Sequence, residues 1–273
     1  NSMKRYAADA TQTRPYIMCE YSHAMGNSNG NFREYWDIIM SSKHMQGGFI
    51  WDWVDQGYKQ TDASGNTYWG YGGDLGSYNL RNDENFCSNG LIAANRTPHP
   101  GLFEVKKVYQ NIYFSSASIG SGIVTVKNLF DFTNLDQYNF KWQLIRNGEK
   151  IKEESFHVEL APHQQKDITL AVPMIKSVEG TEFYVNIIAT TKNATDLVAV
   201  DHEIATEQFK MSGDYFIGGK TVNGTLQVKK DADKISFQSG TISGEIDLKQ
   251  GTVRNYNNKN GMQVNRFPEP YFW

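Results

Sequence analysis

The sequence has little cysteine and no surplus of charge of either sign. Two cysteines, Cys19 and Cys87, in 273 residues exclude a disulfide framework, and they are too far apart to make the close pair of a zinc site. The six histidines stand at 23, 44, 99, 157, 163 and 202, in no zinc-protease spacing. Lysine plus arginine number 27 against 30 for aspartate plus glutamate, a net charge of −3. No long-range field therefore draws nucleic acid or an anionic membrane, and neither is expected as a partner. Apolar runs near twenty residues are missing, and mean hydropathy is −0.56. No transmembrane helix is expected, and the polar start carries no signal-peptide apolar region. Cytoplasm and periplasm both stay open as compartments. What the chain does have is aromatic residues at 13% and hydrophobic residues at 39%, a balance that belongs to a folded core and not to a disordered segment.

Composition changes near residue 111. Before it, residues 3–10 read as the end of a helix, and Pro15–Glu20 as a strand buried on both faces. Phe32, Tyr35, Trp36 and Ile39 recur at i, i+3, i+4 and i+7, which predicts an amphipathic helix. Phe49–Val54 reads as a second buried strand, and a short helix is expected from about Gly101 to Gln110. Helix, strand, helix, strand is the order that parallel α/β sheets and barrels require. A long loop with Gly70, Gly72, Gly73 and Gly76 separates these elements, and loops of that length in a compact domain are usually functional.

From Asn111 the period becomes two: Ile123, Thr125 and Lys127; Phe140, Trp142 and Leu144; Ile168 and Leu170; Phe183, Val185 and Ile187. Asn147-Gly148 between two such runs is a strong hairpin signal. About seven short strands over about a hundred residues predict an immunoglobulin-like sandwich ending near Lys210. A further β-rich segment follows Ser212–Asp214, with Leu226, Val228, Ile235, Phe237, Ile242, Ile246 and Leu248, and closes on the aromatic stretch Phe267–Trp273. It is too short to make two layers alone, and two α/β units cannot close an eight-stranded barrel. The expectation is a chain cut at both ends.

In parallel α/β folds, catalytic groups collect at the C-terminal ends of strands, where the loops converge. Glu20 stands at such an end, followed by Tyr21, Ser22, His23 and a Gly/Asn turn. A salt bridge is the plainer role for a strand-end carboxylate. Trp51-Asp52-Trp53 would bring two indoles and a carboxylate to the same mouth, and an indole face packs well against the C–H face of a sugar. Strand alternation sends both indoles to one side and Asp52 to the other. Gly26-Asn27-Ser28-Asn29-Gly30 matches the G-x-S-x-G of a nucleophile elbow, which makes Ser28 the candidate nucleophile of a serine esterase. Several residues separate it from the strand, however, where the elbow demands an abrupt turn. The glycines at 70–76 do not form a dinucleotide fingerprint, and nucleotide binding is not supported.

The runs Cys19–Ser28, Gln46–Gln56, Gly72-Gly73-Asp74 and Phe86–Gly90 through Arg96–Pro100 resemble the β-galactosidases of glycoside hydrolase family 2. The resemblance is close over residues 14–110 and looser beyond. It implies a multidomain α/β plus all-β protein. Residues 1–110 would be the C-terminal part of a (β/α)8 TIM-barrel catalytic domain, 111–211 an immunoglobulin-like β-sandwich, and 212–273 the N-terminal portion of a large second β-sandwich. The implied reaction is retaining hydrolysis of terminal non-reducing β-D-galactose residues from β-galactosides such as lactose, through a covalent galactosyl-enzyme on Glu20. His23 and Trp51 correspond to sugar-binding residues. The Phe86 carbonyl and the Asn89 amide correspond to ligands of a monovalent cation, Na+ or K+, that holds the sugar's 6-hydroxyl, so Asn89 also belongs to the substrate site. By the same resemblance the general acid/base and the ligands of a catalytic Mg2+ lie upstream of this chain, the isolated segment is nearly inactive, and the parent is a homo-oligomer. A non-catalytic carbohydrate-binding or interdomain scaffold is the alternative reading, beside the Ser28 esterase.

Overall fold

The computed structural model describes residues 2–76, 79–176, 178, 180–211, 224–258 and 261–269. The expected start of the third segment at Ser212–Asp214 and the terminal rings of Tyr271, Phe272 and Trp273 lie outside the described residues. The chain divides into two compact units, residues 1–215 and 216–273.

The first unit opens with α1 (Ser2–Ala8), β1 (Tyr16–Tyr21), α2 (Phe32–Ile39) and β2 (Met45–Ile50). β1 and β2 pair in parallel, which requires the crossover that α2 supplies. The i, i+3, i+4, i+7 stripe of α2 faces this pair: Phe32 and Ile39 are buried, and Tyr35 and Trp36 pack with Met18 and Tyr21. An antiparallel hairpin of β3 (Tyr58–Thr61) and β4 (Thr67–Gly70) occupies part of the stretch read as one long loop. The Asp62 carboxylate closes its turn by accepting the amides of Ser64 and Asn66, both at 2.8 Å. α3 (Pro100–Val108) follows, with proline in the first helical position.

Two expectations need correction. The second strand is Met45–Ile50 and not Phe49–Val54, and the Phe49 side chain is 67% exposed. Nor is either strand buried on both faces, since Ile17 is 55% exposed and Cys19 and Glu20 are exposed as well. The described helices cover only one face of the β1–β2 pair. A continuous apolar run reports the residue types that suit a doubly covered strand and not the cover itself.

The sandwich is built from β5 (Ile112–Ser115), β6 (Ile123–Asn128), β7 (Tyr138–Arg146), β8 (Glu149–Phe156), β9 (Gln165–Thr169), β10 (Phe183–Thr191) and β11 (Glu203–Lys210). One sheet has the order β5-β6-β9 and the other β11-β10-β7-β8. Both contribute to one buried cluster, with Val124 and Val126 from the first and Phe140, Trp142, Leu144, Val185 and Ile187 from the second. The hairpin between β7 and β8 turns on Asn147 at φ 47° and Gly148 at φ 85°, the left-handed pair that a tight turn of matching twist needs. In β6 the inward phase is Val124, Val126 and Asn128, while Ile123 is half-exposed. Both phases of that strand carry β-branched residues, so residue type alone left its buried face open.

The second unit is a meander of β12 (Gln227–Lys230), β13 (Lys234–Ser239), β14 (Ile242–Asp247), β15 (Thr252–Asn258) and β16 (Met262–Arg266), paired in sequence order. Ile235, Phe237, Ile242 and Ile246 are half-buried, Leu226 and Val228 are exposed, and no buried apolar cluster forms among its described residues.

Candidate active site

Glu20 is exposed because of a register change in β1. Met18 pairs with Gly48 and Tyr21 with Ile50, so three steps along β1 match two along β2. The pair shifts the opposite way between Tyr16 and Met18, where two steps along β1 match three along β2. The extra residue after Met18 is therefore a local bulge that changes the side-chain phase without a net change of register. Tyr16 and Met18 pack under the helices, and strict alternation would send Glu20 after them. The bulge gives that place to Tyr21, which is buried among Phe32, Leu91 and Val105. The Tyr21 hydroxyl accepts from Trp36 Nε1 at 3.0 Å and shares a hydrogen bond with Tyr109 at 2.9 Å. Burial, and then the Tyr109 contact, raise its pKa well above the ordinary phenol value. The Glu20 carboxylate has no hydrogen bond or ion pair among the described residues, so no salt bridge occupies it.

The chain after β2 continues across the same edge without regular strand geometry. Trp51 N–H donates to the Tyr21 carbonyl at 3.2 Å, and Ala24 N–H donates to the Trp51 carbonyl at 2.7 Å. On its other side this segment pairs with residues 87–92. Asp52 N–H donates to Asn89 O at 2.7 Å, Leu91 N–H to Asp52 O at 3.0 Å, Ile92 N–H to Trp53 O at 3.1 Å and Asp55 N–H to Ile92 O at 2.9 Å. The peptide bond between Trp51 and Asp52 is cis. Both indoles are exposed, Trp51 by 42% and Trp53 by 59%. Asp52 serves its own turn, accepting from Gln56 Nε2 at 2.9 Å and from the Trp53 amide.

This ladder brings four of the expected residues together. Asn89 is only 2% exposed; its Nδ2 donates to the Phe86 carbonyl at 2.8 Å, and its Oδ1 is buried with no partner. The Phe86 ring stacks on the His23 ring with centroids 5.3 Å apart and planes at 26°, and His23 Nε2 is also buried without a partner. Trp51 joins them through Tyr21, Ala24 and the residue after it. Glu20 opens instead on a cavity of about 450 Å3 lined by Tyr16, Met18, Tyr21, Asn31, Glu34 and Tyr35, among others, which His23, Trp51, Phe86 and Asn89 do not line. An orphaned amide oxygen beside a main-chain carbonyl is a donor set of hard, neutral oxygens, and it fits a weakly charged ion such as Na+ or K+. No group of three or more His, Cys, Asp or Glu able to hold a metal occurs among the described residues.

Ser28 does not sit on an elbow. Residues 25–31 form a succession of turns ending in Asn31 at φ 57°, and the Ser28 hydroxyl donates to the Met25 carbonyl with no histidine bonded to it. Sequence reading missed Asp55 and His99. Asp55 Oδ1 accepts the Gly90 amide at 2.7 Å, and His99 Nδ1 meets the Gly90 carbonyl at 2.9 Å. Both lie inside motif runs, but nothing in their spacing pointed to a shared peptide.

Comparison with known proteins bears on the same segments. Residues 1–114 match the model of the glycosyl hydrolases family 2 TIM barrel domain, and 124–212 match that of β-galactosidase domain 4. The chain belongs to glycosyl hydrolase family 2. Among family 2 relatives, the β-galactosidase of Priestia megaterium is 34% identical over 273 residues, covering 99% of this chain and 26% of the relative. That of Pseudoalteromonas haloplanktis is 33% identical, with 93% of this chain and 25% of the relative covered. That of Alteromonas mediterranea is 38% identical, with 77% and 20% covered. The chain thus spans about a quarter or less of the length of these family 2 relatives.

Proposed function

We propose that this chain carries the nucleophile and part of the sugar and cation sites of a retaining β-galactosidase. The Glu20 carboxylate attacks the anomeric carbon of a terminal β-D-galactoside, lactose being one case. The C–O bond to the aglycone breaks as the leaving oxygen takes a proton from a general acid contributed by the rest of the polypeptide. The resulting galactosyl ester is cleaved by a water that the same group deprotonates, which restores the free carboxylate. His23 and Trp51 bind the galactose, and the Phe86 carbonyl and Asn89 Oδ1 hold Na+ or K+. A cation there supplies fixed positive charge for a sugar hydroxyl oxygen. Mg2+ belongs with ligands outside these residues, and the functional form is a homo-oligomer. Residues 1–110 contribute to the barrel, 111–211 form an immunoglobulin-like domain and 212–273 begin a further sandwich.

The observation that supports this reading most is that the Glu20 carboxylate is exposed, with no hydrogen bond or ion pair among the described residues, within the most specific motif run. The test is covalent trapping. A full-length polypeptide containing this sequence is incubated with a 2-deoxy-2-fluoro-β-galactosyl fluoride, digested and mapped by mass spectrometry. The adduct is expected on Glu20 and lost in Glu20→Gln; an adduct on another carboxylate refutes the assignment.

A further inference from the structure

Gly90 is the one residue in the 89–92 ladder whose peptide is held by side chains. Its neighbours Asn89, Leu91 and Ile92 bond to the backbone of residues 52–55. Its own N–H is taken by Asp55 Oδ1 at 2.7 Å and its carbonyl by His99 Nδ1 at 2.9 Å. The two side chains also face each other, with His99 Nε2 3.5 Å from Asp55 Oδ2. A carbonyl can only accept, so Nδ1 is the donor in this contact. His99 is anchored in turn, as the residue capping α3 and through its N–H to Leu91 O at 3.0 Å. The clamp closes only on glycine: a Cβ at position 90 would lie 2.2 Å from the Asp55 nitrogen and 2.4 Å from the Val54 carbonyl carbon.

The clamped peptide begins at Asn89. Asp52 N–H holds the Asn89 carbonyl and Asp55 holds the next amide, so the Asn89 backbone is fixed on its C-terminal side by two bonds to one short segment. With the backbone fixed, the amide is left reaching back to the Phe86 carbonyl with Oδ1 buried and unpartnered. We propose that Asp55 and His99 are positioning residues: by clamping the Gly90 peptide they fix the Phe86–Asn89 turn so that its carbonyl and amide oxygens can converge on one monovalent cation and thereby on the galactose hydroxyl. This rests on the cation role given to Phe86 and Asn89 above. Neither Asp55 nor His99 touches the ion or the sugar. Their contribution is preorganisation, and a site left looser by an ångström loses affinity through the ordering it must then undergo.

The test uses a full-length family 2 polypeptide carrying these residues. Sodium chloride is titrated in a choline chloride background, and binding of a non-hydrolysable thiogalactoside is followed by calorimetry. Asp55→Ala and His99→Ala are each expected to raise the sodium concentration at half-effect about tenfold, the scale of one lost buried hydrogen bond to a charged or imidazole partner. Asp55→Asn retains an acceptor for the Gly90 amide and His99→Gln a donor for its carbonyl, so both should stay within about threefold of the parent. This graded order is not produced by a general loss of folding, and the conservative pair keeps the test decisive if an alanine variant does not fold. Half-effects within about twofold of the parent in soluble Asp55→Ala and His99→Ala, or equal losses in the alanine and conservative variants, overturn the positioning role. Asn89→Ala separates the two levels. If it leaves the sodium dependence intact, the cation reading itself fails and this proposal fails with it; if it abolishes the dependence while Asp55→Ala does not alter it, only the clamp is wrong.

Discussion

Replacing Tyr21 with phenylalanine removes one oxygen and leaves the ring that the bulge of β1 carries into the core. Two contacts go with that oxygen: Trp36 Nε1 loses its acceptor and Tyr109 loses its hydroxyl partner. Tyr109 is 40% exposed, so water can replace what it loses. The half-buried indole N–H is the main cost, about 1–2 kcal/mol at neutral pH. The sign then changes with pH. Burial raises the folded-state pKa of Tyr21 above the unfolded value, so the stability of the parent is complete below about pH 10 and falls as the pH climbs from there toward the folded pKa. The slope is roughly 1.4 kcal/mol per pH unit, because the unfolded phenol ionises while the folded one cannot. Phenylalanine has no such loss. The two proteins should therefore differ by about 1–2 kcal/mol at pH 7 and converge near pH 11. Urea-unfolding midpoints of parent and Tyr21→Phe, taken at half-unit steps from pH 7 to 11.5, measure the gap. A gap that stays constant from pH 9 to 11.5 would refute the linkage, and no gap at pH 7 would refute the hydrogen-bond account.

Other positions give further outcomes. Asn128 is fully buried, donates to the Thr133 and Leu160 carbonyls and accepts from the Phe130 amide, each at 2.9 Å; Asn128→Ala orphans Phe130 N–H and Thr133 O and should cost roughly 2–4 kcal/mol of sandwich stability by urea unfolding. Gly90→Ala and Gly148→Ala should differ sharply. The first drives a Cβ into backbone and should cost about 3 kcal/mol or more, whereas the second meets nothing within 4 Å and carries only its left-handed φ, about 1–2 kcal/mol. Equal losses in thermal unfolding would contradict the close approach at Gly90. In β6, Val124→Thr should destabilise by about 1–3 kcal/mol by burying an unpartnered hydroxyl, and Ile123→Thr by no more than about 0.5 kcal/mol; the reverse order would mean that the strand presents its other face.

Much of the fold was legible because its signals are local. The stripe Phe32, Tyr35, Trp36, Ile39 needs only the helical period, and Asn147-Gly148 needs only two residues that tolerate positive φ. The alternation Phe140, Trp142, Leu144 marked an inward face because its other phase, Asn139, Lys141 and Gln143, is polar. In β6 both phases hold branched residues, and the same rule failed. The candidate residues Glu20, His23, Trp51, Phe86 and Asn89 were read from motif runs, which do not give their mutual placement. His23 lies on Phe86 across more than sixty residues of chain, Asn89 reaches the Phe86 carbonyl three residues before it, and Glu20 faces a different cavity.

The amino-acid order by itself determined the kind of layers this chain builds, the turn between β7 and β8, and which short runs concentrate carboxylate, imidazole and indole. These depend on the conformational preferences of single residues and on spacings within a few turns or strand steps. Only the tertiary structure decided that β1 bulges at Glu20, that Val124 and not Ile123 points inward, and that Asp55 and His99 close on the Gly90 peptide. Each of those is a register or a side-chain pairing between distant segments, and the same local sequence is compatible with either outcome until the neighbouring backbone is in place.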